Sequence, residues 1–129
     1  MSATWKAVAT MTHALSLAAV RLTLGPQRFY IPATQIQRCS LVEYEAEGIA
    51  RFSQWLGLPD EPEQGLHLHL FIPASNVAQG WYLWGELENV LLPPSDIYPL
   101  PELLKQCCKL PALRALVGDG GCSPLLSWE

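Results

Sequence analysis

The stretch from residue 66 to residue 104 places the strongest limit on how this chain can fold. Residues 66–72 form two interleaved sets of side chains, Leu66, Leu68, Leu70 and Ile72 in one and His67, His69 and Phe71 in the other. Successive side chains of a β-strand leave opposite faces, so this period of two predicts a strand. A second extended run starts at Trp81 and ends at Pro93, because proline cannot donate to a strand ladder. A turn over residues 76–80 joins the two runs into a predicted β-hairpin.

The chain before this hairpin predicts an earlier hairpin, a third strand and a helix. Residues 15–31 contain two apolar runs around a Gly-Pro turn, and a change of parity near Ala18-Ala19 predicts a bulge or bend there. Residues 33–39 predict a short turn followed by a strand. The acidic residues 43–47 suit the start of a helix, and apolar residues at helical spacing extend it to a stop at Gly57.

The chain after the hairpin predicts an extended crossing, a helix and two strands. Prolines restrict the backbone of residues 93–101 and keep it out of helix, whereas Pro101 itself suits a first helical turn. Residues 113–117 and 124–128 predict strands around a glycine-rich turn. Many short strands with two or three short helices predict a mainly β fold that forms a small β-barrel.

Length, composition and charge narrow the class of protein. With 129 residues, half of them apolar and 16% charged, the chain predicts one globular domain. We expect that domain over residues 15–129, after a loosely attached arm over residues 1–14, where no clear period is present. The net charge of −4 and eight scattered Lys and Arg residues argue against a nucleic-acid partner.

Signals for secretion or membrane insertion are weak. Lys6 and the apolar residues 7–20 resemble a signal peptide, but polar residues interrupt the apolar region. No run reaches the ~20 apolar residues that a membrane-spanning helix requires. We therefore expect a cytoplasmic protein without membrane insertion.

The cysteines and histidines are the candidates for metal binding or catalysis. Cys107 and Cys108 are adjacent, which is not a metal-ligand spacing, and alternation along a strand explains His67 and His69 without zinc. No nucleophile-elbow, zinc-protease or phosphate-loop motif is present. We expect reduced thiols, no metal, no cofactor and no enzymatic activity. A thiol enzyme that uses Cys107 or Cys108 with His67 is the third alternative.

Aromatic residues of the hairpin are candidates for partner binding. Trp81 and Trp84 differ in parity, so we expect one to face the core and the other to lie outward beside Tyr82. His67 and His69 share one face of the hairpin with Phe71, and we expect this face to point outward. The competing interpretation is that both tryptophans fill a barrel and its rim.

Four segments follow one another in an order that is typical of a known family. Residues 20–39 contain a Phe-Tyr-Ile-Pro step, and residues 49–62 contain Leu-Gly-Leu-Pro. Residues 84–103 lead through Leu-Pro-Pro to an Ile-Tyr-Pro-Leu-Pro run, and residues 113–128 resemble a closing strand pair. Together these segments resemble the CheW-like family, the coupling proteins of bacterial chemotaxis arrays. The resemblance implies small CheW-like β-barrels and a non-enzymatic adaptor that couples a receptor to a CheA-like histidine kinase.

The chain also departs from the family pattern. The family carries an extra hairpin with an Asn-Leu-Arg-Gly signature, whereas residues 40–48 are short and acidic here and no Arg-Gly occurs. Gly85 and Ser127 stand where the family often has aspartate. Loss of the hairpin predicts an exposed sheet edge, which a partner or a second copy can cover. The alternative function is a standalone β-barrel module that has lost coupling and acts as a homodimer or small-ligand binder.

Overall fold

A computed structural model describes residues 16–24, 26–58, 67–75, 79–103 and 112–128 of the chain. Within these ranges the chain forms eight strands: β1 (Leu17–Leu24), β2 (Gln27–Pro32), β3 (Ile36–Leu41), β4 (His67–Pro73), β5 (Trp81–Leu92), β6 (Ile97–Pro99), β7 (Leu113–Val117) and β8 (Ser123–Leu126). Also described are one α-helix, α1 (Phe52–Leu56), and 3₁₀ turns at Ala33–Gln35 and Pro94–Asp96. The predicted arm over residues 1–14, most of the helix predicted from Pro101 and most of the 76–80 turn lie outside the described residues.

The described strands form one sheet in the order β3-β4-β5-β1-β2-β8-β7-β6. Neighbouring strands are antiparallel, except that β2 and β8 are parallel. The predicted hairpin is confirmed as β4 and β5, and the predicted mainly β fold is confirmed with it. No pairing among the described strands joins β3 to β6, so these two strands are the edges of the sheet.

Apolar side chains cover both faces of the central strands and form two cores. The first core consists of Val20, Leu22, Leu24, Phe29, Ile31, Phe52, Leu56, Phe71, Trp81, Leu83 and Leu126. The second core consists of Ala19, Tyr30, Leu92, Ala115, Val117 and Leu125. Side chains of one strand alternate between its faces, so β1, β2 and β8 each contribute to both cores.

This double burial explains the change of parity in β1. The predicted bulge at Ala18-Ala19 is wrong, because β1 pairs with β2 and β5 without any shift of register. Ala19 and Val20 are both buried because Ala19 points into the second core and Val20 into the first. The apolar pattern therefore changes from one parity to the other while the backbone stays regular.

The helix before the hairpin is shorter than the sequence pattern predicts. The expected start within residues 43–47 is wrong, since α1 begins at Phe52 and the acidic residues precede it in non-helical conformation. The end at Gly57 is confirmed, with φ of 75° in the left-handed region that glycine adopts readily. The described helices include none that is long and apolar enough to cross a membrane.

Candidate partner-binding surface

The register between β4 and β5 decides which side chains of the hairpin share a face. His67 pairs with Gly85, His69 with Leu83 and Phe71 with Trp81, and paired residues of antiparallel strands point to the same side. The histidines therefore lie on the face that carries the first core. The expectation that this whole face points outward is wrong, because Phe71 is fully buried, but the face extends beyond the core to an exposed His67.

The three aromatic candidates of β5 differ sharply in exposure. Trp81 is 2% exposed and Tyr82 4%, whereas Trp84 is half-buried. The Trp81 ring packs at centroid distances of 4.8–5.6 Å against Phe52, Trp55, Phe71 and Trp128. Trp81 is thus the member of the tryptophan pair that faces the core, and Trp84 is the member that retains accessible surface.

A carboxylate from a distant part of the chain fixes the orientation of Trp84. The Trp84 indole Nε1 donates to Oε2 of Glu45 at 2.9 Å. The Arg51 guanidinium donates two hydrogen bonds to the same carboxylate, from Nε to Oε1 at 3.0 Å and from Nη2 to Oε2 at 2.8 Å. These Arg51 hydrogen bonds hold the pKa of Glu45 below its usual range, with a smaller contribution from Trp84, although partial burial opposes them.

Tyr82 makes further hydrogen bonds to the part of the chain that carries Glu45. Its hydroxyl accepts a hydrogen bond from the Ala46 N–H at 2.9 Å, and its own N–H donates to the Ala50 carbonyl at 2.9 Å. Arg51 also forms a parallel β-bridge with Tyr82. Residues 45–51, here called the cover segment, therefore lie against β5 and bury Tyr82. A shallow pocket remains beside it, lined by Leu24, Arg51, Ser53, Tyr82 and Trp84.

The histidine pair lies at the open end of the hairpin. Nδ1 of His67 is 3.4 Å from Oε1 of Glu86, and the His67 and His69 rings are 6.4 Å apart. Burial lowers the pKa of His69, against the opposing effects of Glu86 and a hydrogen bond to the Gly85 backbone. Nε2 of His69 is buried and lacks a hydrogen-bond partner among the described residues. Those residues include no group of three side chains suited to a metal ion.

A polar row that the sequence did not predict crosses the opposite face of the sheet. Arg21 on β1 forms an ion pair with Glu88 on β5. The Tyr30 hydroxyl donates to Oδ2 of Asp119 at 2.7 Å, and Ser123 donates to the same oxygen at 2.9 Å. Burial, the largest single effect, would raise the pKa of Asp119, but these two hydrogen bonds, a backbone hydrogen bond and the charge of Arg28 together hold that pKa low. The row ties the β7–β8 turn to the central strands, and its members lie too far apart in sequence to form a motif.

The cysteines of the described chain do not gather into a site. Cys39 and Cys122 are free thiols on the surface, while Cys107 and Cys108 lie outside the described residues. Partial desolvation raises the pKa of Cys39, which favours the protonated thiol over the nucleophilic thiolate. Cys39 is therefore a weak nucleophile at neutral pH.

Comparison with known proteins places the fold. The sequence matches no protein-family model and no curated protein. The structure is similar to the crystal structure of the scaffolding protein TtCheW from Thermoanaerobacter tengcongensis, with a TM-score of 0.60 and 10% sequence identity. The match covers 87% of this chain and 89% of that chain. The chain therefore has a CheW-like fold.

Proposed function

We propose that this protein is a non-enzymatic adaptor of a chemosensory-type pathway, coupling a receptor to a CheA-like histidine kinase in the cytoplasm. The observation that carries the proposal is the likeness to a scaffolding protein over 87% of the chain. The order of family-like segments in the sequence supports the same function. Surface recognition is also what the described side chains suit, because they place a half-buried tryptophan beside the charged pair of Glu45 and Arg51.

The proposed contact surface centres on Trp84, and His67 and His69, on the opposite face of the hairpin, are proposed as a second contact at its open end. Trp84 offers a large ring whose position is fixed by Glu45, so little conformational entropy is lost on binding. The sequence also proposed Trp81 and Tyr82 for partner binding. Both are buried, so they would contribute indirectly, by packing that holds the strand carrying Trp84 in place.

The adaptor function is tested by calorimetric titration of the full chain with the regulatory domain of a chemosensory kinase from the same source. Saturable one-to-one binding is the expected result. Titration with a receptor signalling fragment tests the other half of the coupling. No measurable heat with either partner at concentrations near 100 µM (roughly the weak end of specific association) would contradict the proposal.

Two variants separate direct contact from positioning. Trp84→Ala removes the ring, and we expect it to weaken kinase binding at least about tenfold, as a central aromatic contact does. Glu45→Gln removes the charge that Arg51 holds but keeps the ring and an acceptor for the indole N–H. Binding by Glu45→Gln close to that of the wild type supports direct contact by Trp84. Equal loss in both variants shows that the tryptophan only holds the cover segment.

One observation favours a second candidate function, a module that has lost coupling and self-associates. The edge strand β3 is exposed along most of its length, with residues 37–41 all in contact with solvent. An open edge of this kind pairs readily with another strand. Size-exclusion chromatography of the free protein distinguishes the two candidates when it is read together with the kinase titration.

A further inference from the structure

The outer side of β3 carries hydrogen-bonding groups that no described strand uses. β3 ends the sheet, and it pairs only on its inner side, with β4, within the described part of the chain. Residues 37–41 are exposed, and Leu41 has 67% of its surface in contact with solvent. An aliphatic side chain at an unpaired edge is a feature that proteins usually avoid.

The phase of the β3–β4 ladder identifies which backbone groups point outward. Leu41 pairs with His69. The residue after Leu41, Val42, donates its N–H to the carbonyl of Leu68, the residue before His69, at 3.0 Å. In an antiparallel ladder this makes Leu41 and His69 a pair without mutual hydrogen bonds. Ser40 therefore bonds to β4, whereas the N–H and C=O groups of Cys39 and Leu41 face away from the sheet.

The two edges of the sheet differ in how they are protected. The other edge strand, β6, has three residues and ends in Pro99, so it offers little to a pairing strand. β3 has six residues, no proline and a single charge, at Arg38. Its one irregularity lies between Ile36 and Arg38, which leaves the stretch from Arg38 to Val42 regular.

We propose that a second copy of this chain pairs with β3, antiparallel, with the two-fold axis at Ser40. In a symmetric pair of β3 strands, the residues with outward-facing backbone groups must lie opposite one another, because only these groups can form hydrogen bonds between the two copies. Near the middle of the strand this condition is met only when the two-fold axis passes through Cys39 or Ser40. With the axis at Ser40, Cys39 of each copy pairs with Leu41 of the other. With the axis at Cys39, Leu41 instead faces the polar Gln37.

Charge and apolar matching both favour the axis at Ser40. The two Arg38 residues are then four residues apart along the strands, about 14 Å, but only two residues or about 7 Å apart in the other register. The longer separation exceeds the Debye length of about 10 Å, so the repulsion is largely screened. The Ser40 register also covers Leu41 with the thiol-bearing side chain of its partner residue. This interface rests on the second candidate function, for which it supplies the geometry of self-association, and it does not depend on kinase coupling.

Sedimentation equilibrium of the full chain tests whether β3 forms the interface. Leu41→Lys places a charge at the centre of the proposed contact, and Leu91→Lys is its matched control because Leu91 is 70% exposed on β5. We expect a wild-type dimer that Leu41→Lys weakens at least about tenfold and Leu91→Lys leaves unchanged. A wild-type monomer at 100 µM (roughly the upper working range for weak dimers), or equal effects of both variants, would overturn the proposal.

A crosslink then tests the register. In the proposed dimer the two Ser40 residues form a pair without mutual hydrogen bonds, with Cα atoms about 4.5 Å apart, which suits a disulfide. Ser40→Cys in a Cys39→Ser background should therefore give disulfide-linked dimers under mild oxidant, mapped by peptide mass spectrometry. The native Cys39 thiols lie about 8 Å apart in this register and should not link. A dimer linked through Cys39, or one that Ser40→Cys fails to trap, refutes the register and the proposal.

Discussion

Gly85 offers the sharpest test of the packing between β5 and β1. A Cβ atom at this position would lie 2.0 Å from the Thr23 carbonyl oxygen and 3.2 Å from the Thr23 carbonyl carbon. A carbon and an oxygen without a hydrogen bond need about 3.3 Å, so Gly85→Ala forces the two backbones apart by about 1 Å. The obstacle is backbone rather than the tip of a flexible side chain, so local adjustment of a rotamer does not relieve it.

The cost of this separation follows from the pairing of β1 with β5. Seven residue pairs join the two strands from Leu17 to Thr23, and Gly85 lies just beyond the last pair, one residue before Glu86. Overpacking of a well-packed site costs typically 1–3 kcal/mol, and a backbone obstacle places Gly85→Ala near about 3 kcal/mol. For a domain of this size the melting temperature should fall by roughly 10 °C.

Urea unfolding followed by tryptophan fluorescence measures this loss, and Gly121→Ala is the matched control. Nothing lies within 4 Å of a Cβ at Gly121, and its φ is outside the positive region. We expect Gly121→Ala to change the free energy of unfolding by less than about 0.5 kcal/mol. If Gly85→Ala falls within about 0.5 kcal/mol of that control, the inferred close approach of β5 to β1 is refuted.

Three further predictions concern buried and half-buried polar groups. Gln35 donates to the Ser127 hydroxyl at 2.5 Å and accepts from the Trp128 N–H at 2.9 Å, so Gln35→Ala should cost about 2–4 kcal/mol in urea unfolding and Ser127→Ala less. Folding lowers the pKa of Glu45, so the ionised carboxylate stabilises the fold at pH values above the ordinary pKa of glutamate, and this stabilisation is lost as pH falls through the lowered pKa. Glu45→Gln should therefore make the free energy of unfolding less dependent on pH in the acid range. Burial lowers the pKa of His69, so the wild type should lose stability as pH falls below 6.5, and His69→Gln should abolish that loss in thermal melts.

Local pattern was sufficient to predict much of the fold. The alternation before Pro73 and the aromatic run from Trp81 predicted β4 and β5, because a period of two over several residues matches the geometry of a strand and not that of a helix. Gly57 marked the end of α1 for a local reason as well, its left-handed backbone. The helix start within residues 43–47 failed because Glu45 is engaged by Arg51 and Trp84, and the latter contact spans 39 residues.

The candidate surface was harder to predict than the strands. Alternation separated Trp81 from Trp84, but the sequence did not show that Tyr82 would be buried, since the cover segment reaches it from 36 residues away. The bond between Tyr30 and Asp119 joins positions 89 residues apart, and only the fold brings them together. Sheet register decides such contacts, and register depends on the whole set of strands.

The placement of β8 has a consequence for how the chain folds as it leaves the ribosome. Adjacent residues Leu125 and Leu126 enter different cores, and β8 docks in parallel beside β2, where Tyr30 pairs with Leu125. Both cores therefore stay incomplete until residues 123–126 have been synthesised. Until then the apolar surfaces of β1 and β2 stay partly uncovered, and in this interval chaperone capture protects a chain with many long-range contacts from aggregation.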